Sequence, residues 1–265
     1  MDDLRVARAR RWWHTKRKIS SAERAAAFVE DVGFALLFPN KGVSLPTLLE
    51  VATDQPIEDL GWDWGPDAER LWAWKDEMPR RGLAWYARFL RGRPSFLSPG
   101  LLADLHPRSG RSDDFEDAKL SGNALRIARM LFRSGPQSTA ALREALGIEG
   151  RKAGEAFNRC LTELGRQLVI THYGVEDQGV GWPTPVLELT ARAFAIPKRR
   201  DPHASRLRAT RRFLDTMLVV RPFELGNAFG WGADAARAAL EELAEAHQAH
   251  RDGPSYILPS FSGGR

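Results

Sequence analysis

The sequence predicts a mainly α-helical fold of tandem winged helix-turn-helix units, each with a small β-hairpin as its wing. Three observations predict it. From Leu120 the pattern runs helix, turn, helix, turn, helix, hairpin, and the same order returns near the C-terminus. Gly and Pro fall between these segments and so punctuate them. Before Leu120, capped helical segments surround one continuously apolar stretch, "VGFALLFP" at 32–39. The expected division is an N-terminal winged-helix-like unit with a basic arm (1–105), a linker (106–119), a middle winged-helix unit (120–196) and a C-terminal one (197–265).

In the first unit, "SSAE" (20–23) fits a capping box that opens a helix through Phe28 and Val32, and Gly33 closes it. "VGFALLFP" reads as a buried strand. Ser44 caps "LPTLLEVA", and beyond "GWDWGP" Pro66 suits the first turn of "DAERLWAWKDEM". The run "LAWYARFLRGRPSFL" (83–97) fits either a strand pair or a helix. The polar stretch "HPRSGRSDDFEDAK" (106–119) lacks apolar periodicity, which makes it the linker.

In the middle unit, Leu125, Ala128, Leu131 and Phe132 recur at helical spacing until Gly135-Pro136. Ser138 caps a short second helix with Leu142 and Leu146 on one face, and Gly147 suits its left-handed end. The third helix, about 152–168, stacks Ala153, Phe157, Leu161, Leu164 and Leu168, with Glu155, Arg159, Thr162 and Arg166 opposite. "LVITHYGV" and "VLELTARAF" then flank a Gly/Pro-rich loop, the pattern of a hairpin. In such a unit the third helix can enter the major groove while the wing follows the backbone.

In the last unit, Leu207, Leu214, Met217 and Leu218 mark a first helix and Pro222 opens a second. The third places Ala236, Leu240, Leu243 and His247 inward, and an Asp-Gly turn leads to a strand. Its outer face carries Glu241, Glu242 and Glu245, which oppose phosphate. Arg237 is the one cation there suited to contact it.

The net charge of +5 is matched by the first 20 residues, where seven Lys/Arg face Asp2 and Asp3. A second cluster, "PKRRDPHASRLRATRR" (197–212), sets seven cations against Asp201. Local cationic patches point to a polyanion, here double-stranded DNA. The candidate DNA contacts are Arg8, Arg10, Arg11, Lys16, Arg17 and Lys18 in the arm, and Arg151, Lys152, Arg159 and Arg166 on the third helix of the middle unit. Gln178 and Trp182 on the wing and Arg208, Arg211 and Arg212 in the last unit complete the set. Trp12 and Trp13 pack the arm or wrap DNA, and of the Trp residues between 62 and 85, Trp72 and Trp85 read as core.

With 265 residues and 43% apolar content, the chain can bury a sizeable core. It has no apolar run of 18 residues and no signal-like segment, so the expected protein is cytoplasmic and away from the membrane. Cys160 is the single cysteine, which rules out an internal disulfide. No phosphate-cradling Gly loop, nucleophile elbow or metal-ligand spacing occurs, so no cofactor and no metal are expected. His247 and His250 lack a third ligand at a recognisable spacing.

The order of these segments, with "VGFALLFP" after the first capped helix, the aromatic "LAWYARF" and the winged unit with "THYGV", resembles the winged-helix DNA glycosylases of the AlkZ type, bacterial enzymes that excise alkylated bases. The resemblance spans most of 20–258. It implies that Leu36 and Phe38 occupy the positions of the family's catalytic Gln-x-Gln or Gln-x-Asp pair, whose side chains position the attacking water. Neither hydrophobe can hold that water, and loss of such a group costs about two to four orders of magnitude in rate. The resemblance therefore implies a relative that binds damaged or distorted DNA with lost or altered catalysis. The alternatives are a glycosylase using another acid, with Asp63 in "GWDWG" as the candidate, or a winged-helix regulator or scaffold. For Asp63 a turn-forming role is the competing reading. The expected state is a monomer; a regulator would dimerise on a symmetric site.

Overall fold

One order of elements, helix, strand, helix, helix, strand, strand, occurs three times among the described residues. The structure is a computed structural model that describes residues 2–14, 19–53, 65–177, 179, 183–197 and 201–262. An N-terminal helix α1 (Asp2–Arg11) precedes the first set: α2 (Ala22–Val32), β1 (Phe34–Leu36), α3 (Leu48–Thr53), α4 (Pro66–Arg80), β2 (Trp85–Arg88) and β3 (Pro94–Leu97). After α5 (Pro99–Leu105) comes the second: α6 (Gly122–Ser134), β4 (Gln137–Ser138), α7 (Thr139–Ala145), α8 (Gly150–Arg166), β5 (Ile170–Glu176) and β6 (Thr184–Leu189). A short α9 (Thr190–Ala193) leads to the third: α10 (Pro202–Met217), β7 (Val219–Val220), α11 (Pro222–Phe229), α12 (Ala233–Glu245), β8 (His250–Asp252) and β9 (Ser255–Ile257), closed by α13 (Pro259–Ser262). In each set the last strand lies between the other two, giving orders β1-β3-β2, β4-β6-β5 and β7-β9-β8, all antiparallel.

The ambiguous 83–97 run is a strand pair, and its partner β1 explains why. Phe34, Leu36, Trp85 and Leu97 point from one face of this sheet into a core shared with the third set. Ala35, Leu37, Tyr86 and Phe96 point from the other face into a core with α2, α3 and α4. A strand buried on both faces needs apolar side chains at every position, so alternation disappears and the run reads as continuously hydrophobic. This is the physical reason that 32–39 carries no polar side chain.

The first and third sets share their core: Phe34 stacks on Phe213 with centroids 5.2 Å apart, and the Thr216 hydroxyl donates to the Val32 carbonyl at 2.5 Å. The middle set has its own core of Ile127, Leu131, Leu142, Phe157, Leu164 and Leu187. It joins the first set through Trp85 Nε1 donating to Thr190 Oγ1 at 3.0 Å, and through the Thr171 hydroxyl, which bonds both backbone groups of Tyr86 at 3.3 Å.

Several expectations change. Thr47, not Ser44, sits before α3, where its Oγ1 accepts from the Glu50 backbone N–H at 3.2 Å. The cap of α2 is Ser21, accepting from Arg24. Phe132 is 42% and Trp72 37% exposed, so neither is core. His247 lies beyond α12, exposed, with a φ of 57°. The 106–119 segment is folded: Phe115 enters the middle core, Arg108 Nε donates to Asp114 at 3.3 Å, and a Cβ on Gly110 would lie 2.7 Å from Ile196. Mixed short-range polar bonds hold this stretch, which is why no apolar period announced it. Ser138 does cap α7, accepting from Ala141 at 3.2 Å, and Trp85 is fully buried. No described helix is long and apolar enough to cross a membrane.

Candidate nucleic-acid interface

α8 forms because Phe157 and Leu164 are spaced to bury one face against the middle core. The opposite face then turns to solvent with Arg151, Lys152, Arg159 and Arg166 exposed. Arg151 pairs with Glu155 at 3.6 Å, an exposed contact worth little. Lys152, Arg159 and Arg166 have no hydrogen-bond or ion-pair partner among the described residues. At 1.5 Å per residue the row from 151 to 166 extends about 22 Å, enough to follow several phosphates of a duplex.

The other cationic candidates are placed differently. Arg8 donates to the carbonyls of Met217 at 2.9 Å and Val219 at 3.1 Å; burial pulls its pKa down, partly offset by Glu224. Arg11 bonds Asp31 Oδ2 at 2.9 Å and Asp215 Oδ2 at 2.7 Å. Trp12 is buried and donates to the Thr216 carbonyl at 2.8 Å, while Trp13 Nε1 donates to Asp31 at 2.7 Å. The described part of the arm, residues 2–14, is thus docked against the first and third sets, with Arg10 exposed on its outer side.

In the last cluster, Arg208 bonds Asp104 at 2.6 Å, Arg211 the Gln248 carbonyl at 2.6 Å and Arg212 the Asp31 carbonyl at 2.9 Å. These three guanidiniums tie α10 to its neighbours. On α12, Glu241 is bonded to Arg251 at 3.0 Å and Glu242 to His203 at 2.8 Å. Asp63, Lys16, Arg17, Lys18, Gln178 and Trp182 lie outside the described residues.

Leu36 is fully buried, its N–H donating to the Pro46 carbonyl at 2.9 Å and its neighbours across the sheet being Ser95 and, on the other side, Thr47. Phe38 is half-buried and stacks on Trp72, with centroids 6.5 Å apart, and Lys75 Nζ sits 4.3 Å over the Trp72 ring. Leu36 and Phe38 thus present hydrocarbon, with no side-chain group able to hold a water.

Sequence reasoning missed a buried polar group beside this region. Lys75 pairs with Asp76, and Asp76 Oδ1 bonds His172 Nδ1 of β5 at 3.1 Å. Burial lowers the pKa of Lys75 against the opposing pull of Asp76. It lowers that of His172 too, only partly offset by the bond to Asp76. The partners come from different units, 96 residues apart, so no local spacing signals them. Thr47 also donates to the buried Glu50 carboxylate at 2.6 Å; here the Thr-x-x-Glu spacing was a legible sign.

The model of the AlkZ-related family matches residues 19–222. The chain belongs to that family. A search of curated proteins gives no match. Among solved structures, this AlkZ-related chain is similar to the Streptomyces sahachiroi DNA glycosylase AlkZ, with a TM-score of 0.61 over 98% of this chain and 70% of that one, at 13% identity. The likeness in shape at such low identity means the AlkZ-related fold is kept while most side chains differ.

Proposed function

We propose that this AlkZ-related chain is a cytoplasmic, monomeric protein that binds double-stranded DNA through tandem winged helix-turn-helix units and recognises damaged or distorted duplex, with the glycosylase chemistry of its relatives lost or altered. The observation that carries the reading is the row on α8, where Lys152, Arg159 and Arg166 stay unpaired among the described residues while Arg8, Arg11, Arg208 and Arg212 are bonded within the chain. The strand orders, with the strand last in sequence lying centrally in each set, support the winged-helix reading, and α8 is then the helix suited to a groove.

Lost or altered catalysis is supported by Leu36 and Phe38, which replace hydrogen-bonding groups with hydrocarbon. The name of the similar Streptomyces protein supports DNA as the partner. Changing Arg159 and Arg166 together to Ala should lower the slope of log affinity against log salt by about 2, because each phosphate contact contributes about one released counterion. An unchanged slope would remove α8 from the interface.

A further inference from the structure

Three parts of the chain meet around one open cavity of about 370 Å³: the turn between β2 and β3, the last turn of α8, and the junction of α11 with α12. Arg91, Arg166, Gly226, Asn227, Gly230 and Trp231 line it. Arg91 stands at the tip of the turn with a φ of 52°, a left-handed conformation that disfavours side chains with a Cβ. The Ser95 hydroxyl holds this turn, accepting from the N–H groups of Phe89 at 3.3 Å and Leu90 at 3.0 Å. Across the cavity, a Cβ on Gly230 would lie 3.6 Å from Arg166 Nη2, so the missing side chain leaves that guanidinium open to the space.

Neither Arg91 nor Arg166 has a hydrogen-bond or ion-pair partner among the described residues. Two guanidiniums facing one cavity repel each other until an anion lies between them. The C-terminal ends of α8 and α11 are also here, and each helix end carries about half a negative charge. Part of that is already answered, since Leu164 O accepts from Val169 N–H and Gly226 O from Trp231 N–H, both at 2.9 Å. Two full charges against two partly answered halves leave the cavity positive.

The remaining walls are chemically distinct. Asn227 is exposed and offers an amide. Trp231 is half-buried, fixed edge-to-face against Phe229 at 5.2 Å, with Arg206 5.8 Å over its ring. Planar fork-shaped donors match phosphate oxygens, and an indole held by its ring contacts offers a surface to a flat ring or sugar. The volume falls at the small end of ligand pockets, about 300–1,000 Å³.

We propose that this cavity is a nucleotide subsite: Arg91 and Arg166 hold one phosphoryl group, Asn227 bonds its ester or sugar oxygens, and Trp231 packs against the attached nucleoside. The phosphoryl group comes either from a DNA strand, in which case the proposal rests on the DNA-binding reading above, or from a free nucleotide, in which case it stands without it.

The test titrates the full chain with dAMP by calorimetry and with a labelled duplex by anisotropy, comparing wild type, Arg91→Asn and Arg166→Gln. Both residues are exposed, Asn tolerates left-handed φ, and thermal melts check that each variant is folded. Each variant should lower affinity for the phosphate-bearing ligand about tenfold, as for loss of one charge-assisted bond. A loss confined to the duplex and seen in Arg91→Asn as well as Arg166→Gln assigns the subsite to strand-borne phosphate, whereas a duplex loss in Arg166→Gln alone reports the α8 row and overturns the subsite. Loss on dAMP supports the proposal even if wild type binds no duplex, which separates it from the DNA-binding reading. Unchanged affinities of both variants for both probes, or no binding of either probe by wild type, overturns it.

Discussion

A Cβ built on Gly165 would lie 2.8 Å from the carbonyl oxygen of Arg88, so α8 and β2 touch backbone to backbone. Nothing larger than hydrogen fits between them, and the contact fixes where Arg166, the next residue, emerges. Gly165→Ala would gain about 1 kcal/mol of helix propensity, but the clash is with two backbone atoms of Arg88 and costs more, about 2–3 kcal/mol. The expected net result in urea unfolding is a loss, accompanied by several-fold weaker duplex binding. A variant as stable as the parent would show that the two elements can separate freely.

A polar group placed at Leu36 or Phe38 should cost stability by different amounts. Leu36 is fully buried among Phe34, Trp85 and Leu97, so Leu36→Gln loses apolar burial and leaves an amide without water, about 3–5 kcal/mol together. Phe38 is half-buried, and Phe38→Gln should cost less, about 1–2 kcal/mol. Chemical denaturation of both variants checks the order; equal losses would contradict the two-faced burial of β1.

The docked arm should matter for stability first. Trp12→Ala removes a buried indole and its bond to the Thr216 carbonyl, with an expected loss of about 3–5 kcal/mol. Duplex affinity of the folded fraction should stay within about twofold. A stable variant with strongly weakened binding would place Trp12 on DNA instead.

His172 makes the joint between units sensitive to acid. Burial depresses its folded pKa below the ordinary histidine value, so the unfolded chain binds the proton first as pH falls. Its neutral form is fully compatible with the fold above about pH 6.5, and stability is lost as pH drops through the folded pKa. His172→Gln removes this titration. Melting temperatures at pH 8 and pH 5 should therefore fall more in wild type than in the variant; a larger fall in the variant would reverse the sign.

Much of the fold was legible because local signals and packing agree. Ser138, Gly147 and the Phe157–Leu164 stripe mark their helices without tertiary help. The 83–97 strands were ambiguous because a sheet buried on both faces hides its alternation. The cationic candidates were legible as charge but not as role. Arg8, Arg208 and Arg212 look like phosphate ligands in a string of letters, and only the partners Met217, Asp104 and Asp31, far along the chain, show where their donors go. No sequence signal marks Arg91 and Trp231, because their shared cavity exists only after three distant segments meet.

The most direct measurement incubates the purified chain with duplex DNA carrying N3- or N7-alkylated purines, scoring bound fraction against salt and abasic sites released in the same samples. Salt-dependent binding, weakened by Arg159→Ala with Arg166→Ala, is expected, with no release above the protein-free control. Base release by wild type would contradict the loss of chemistry at Leu36 and Phe38, and absence of salt-dependent binding would contradict the α8 interface.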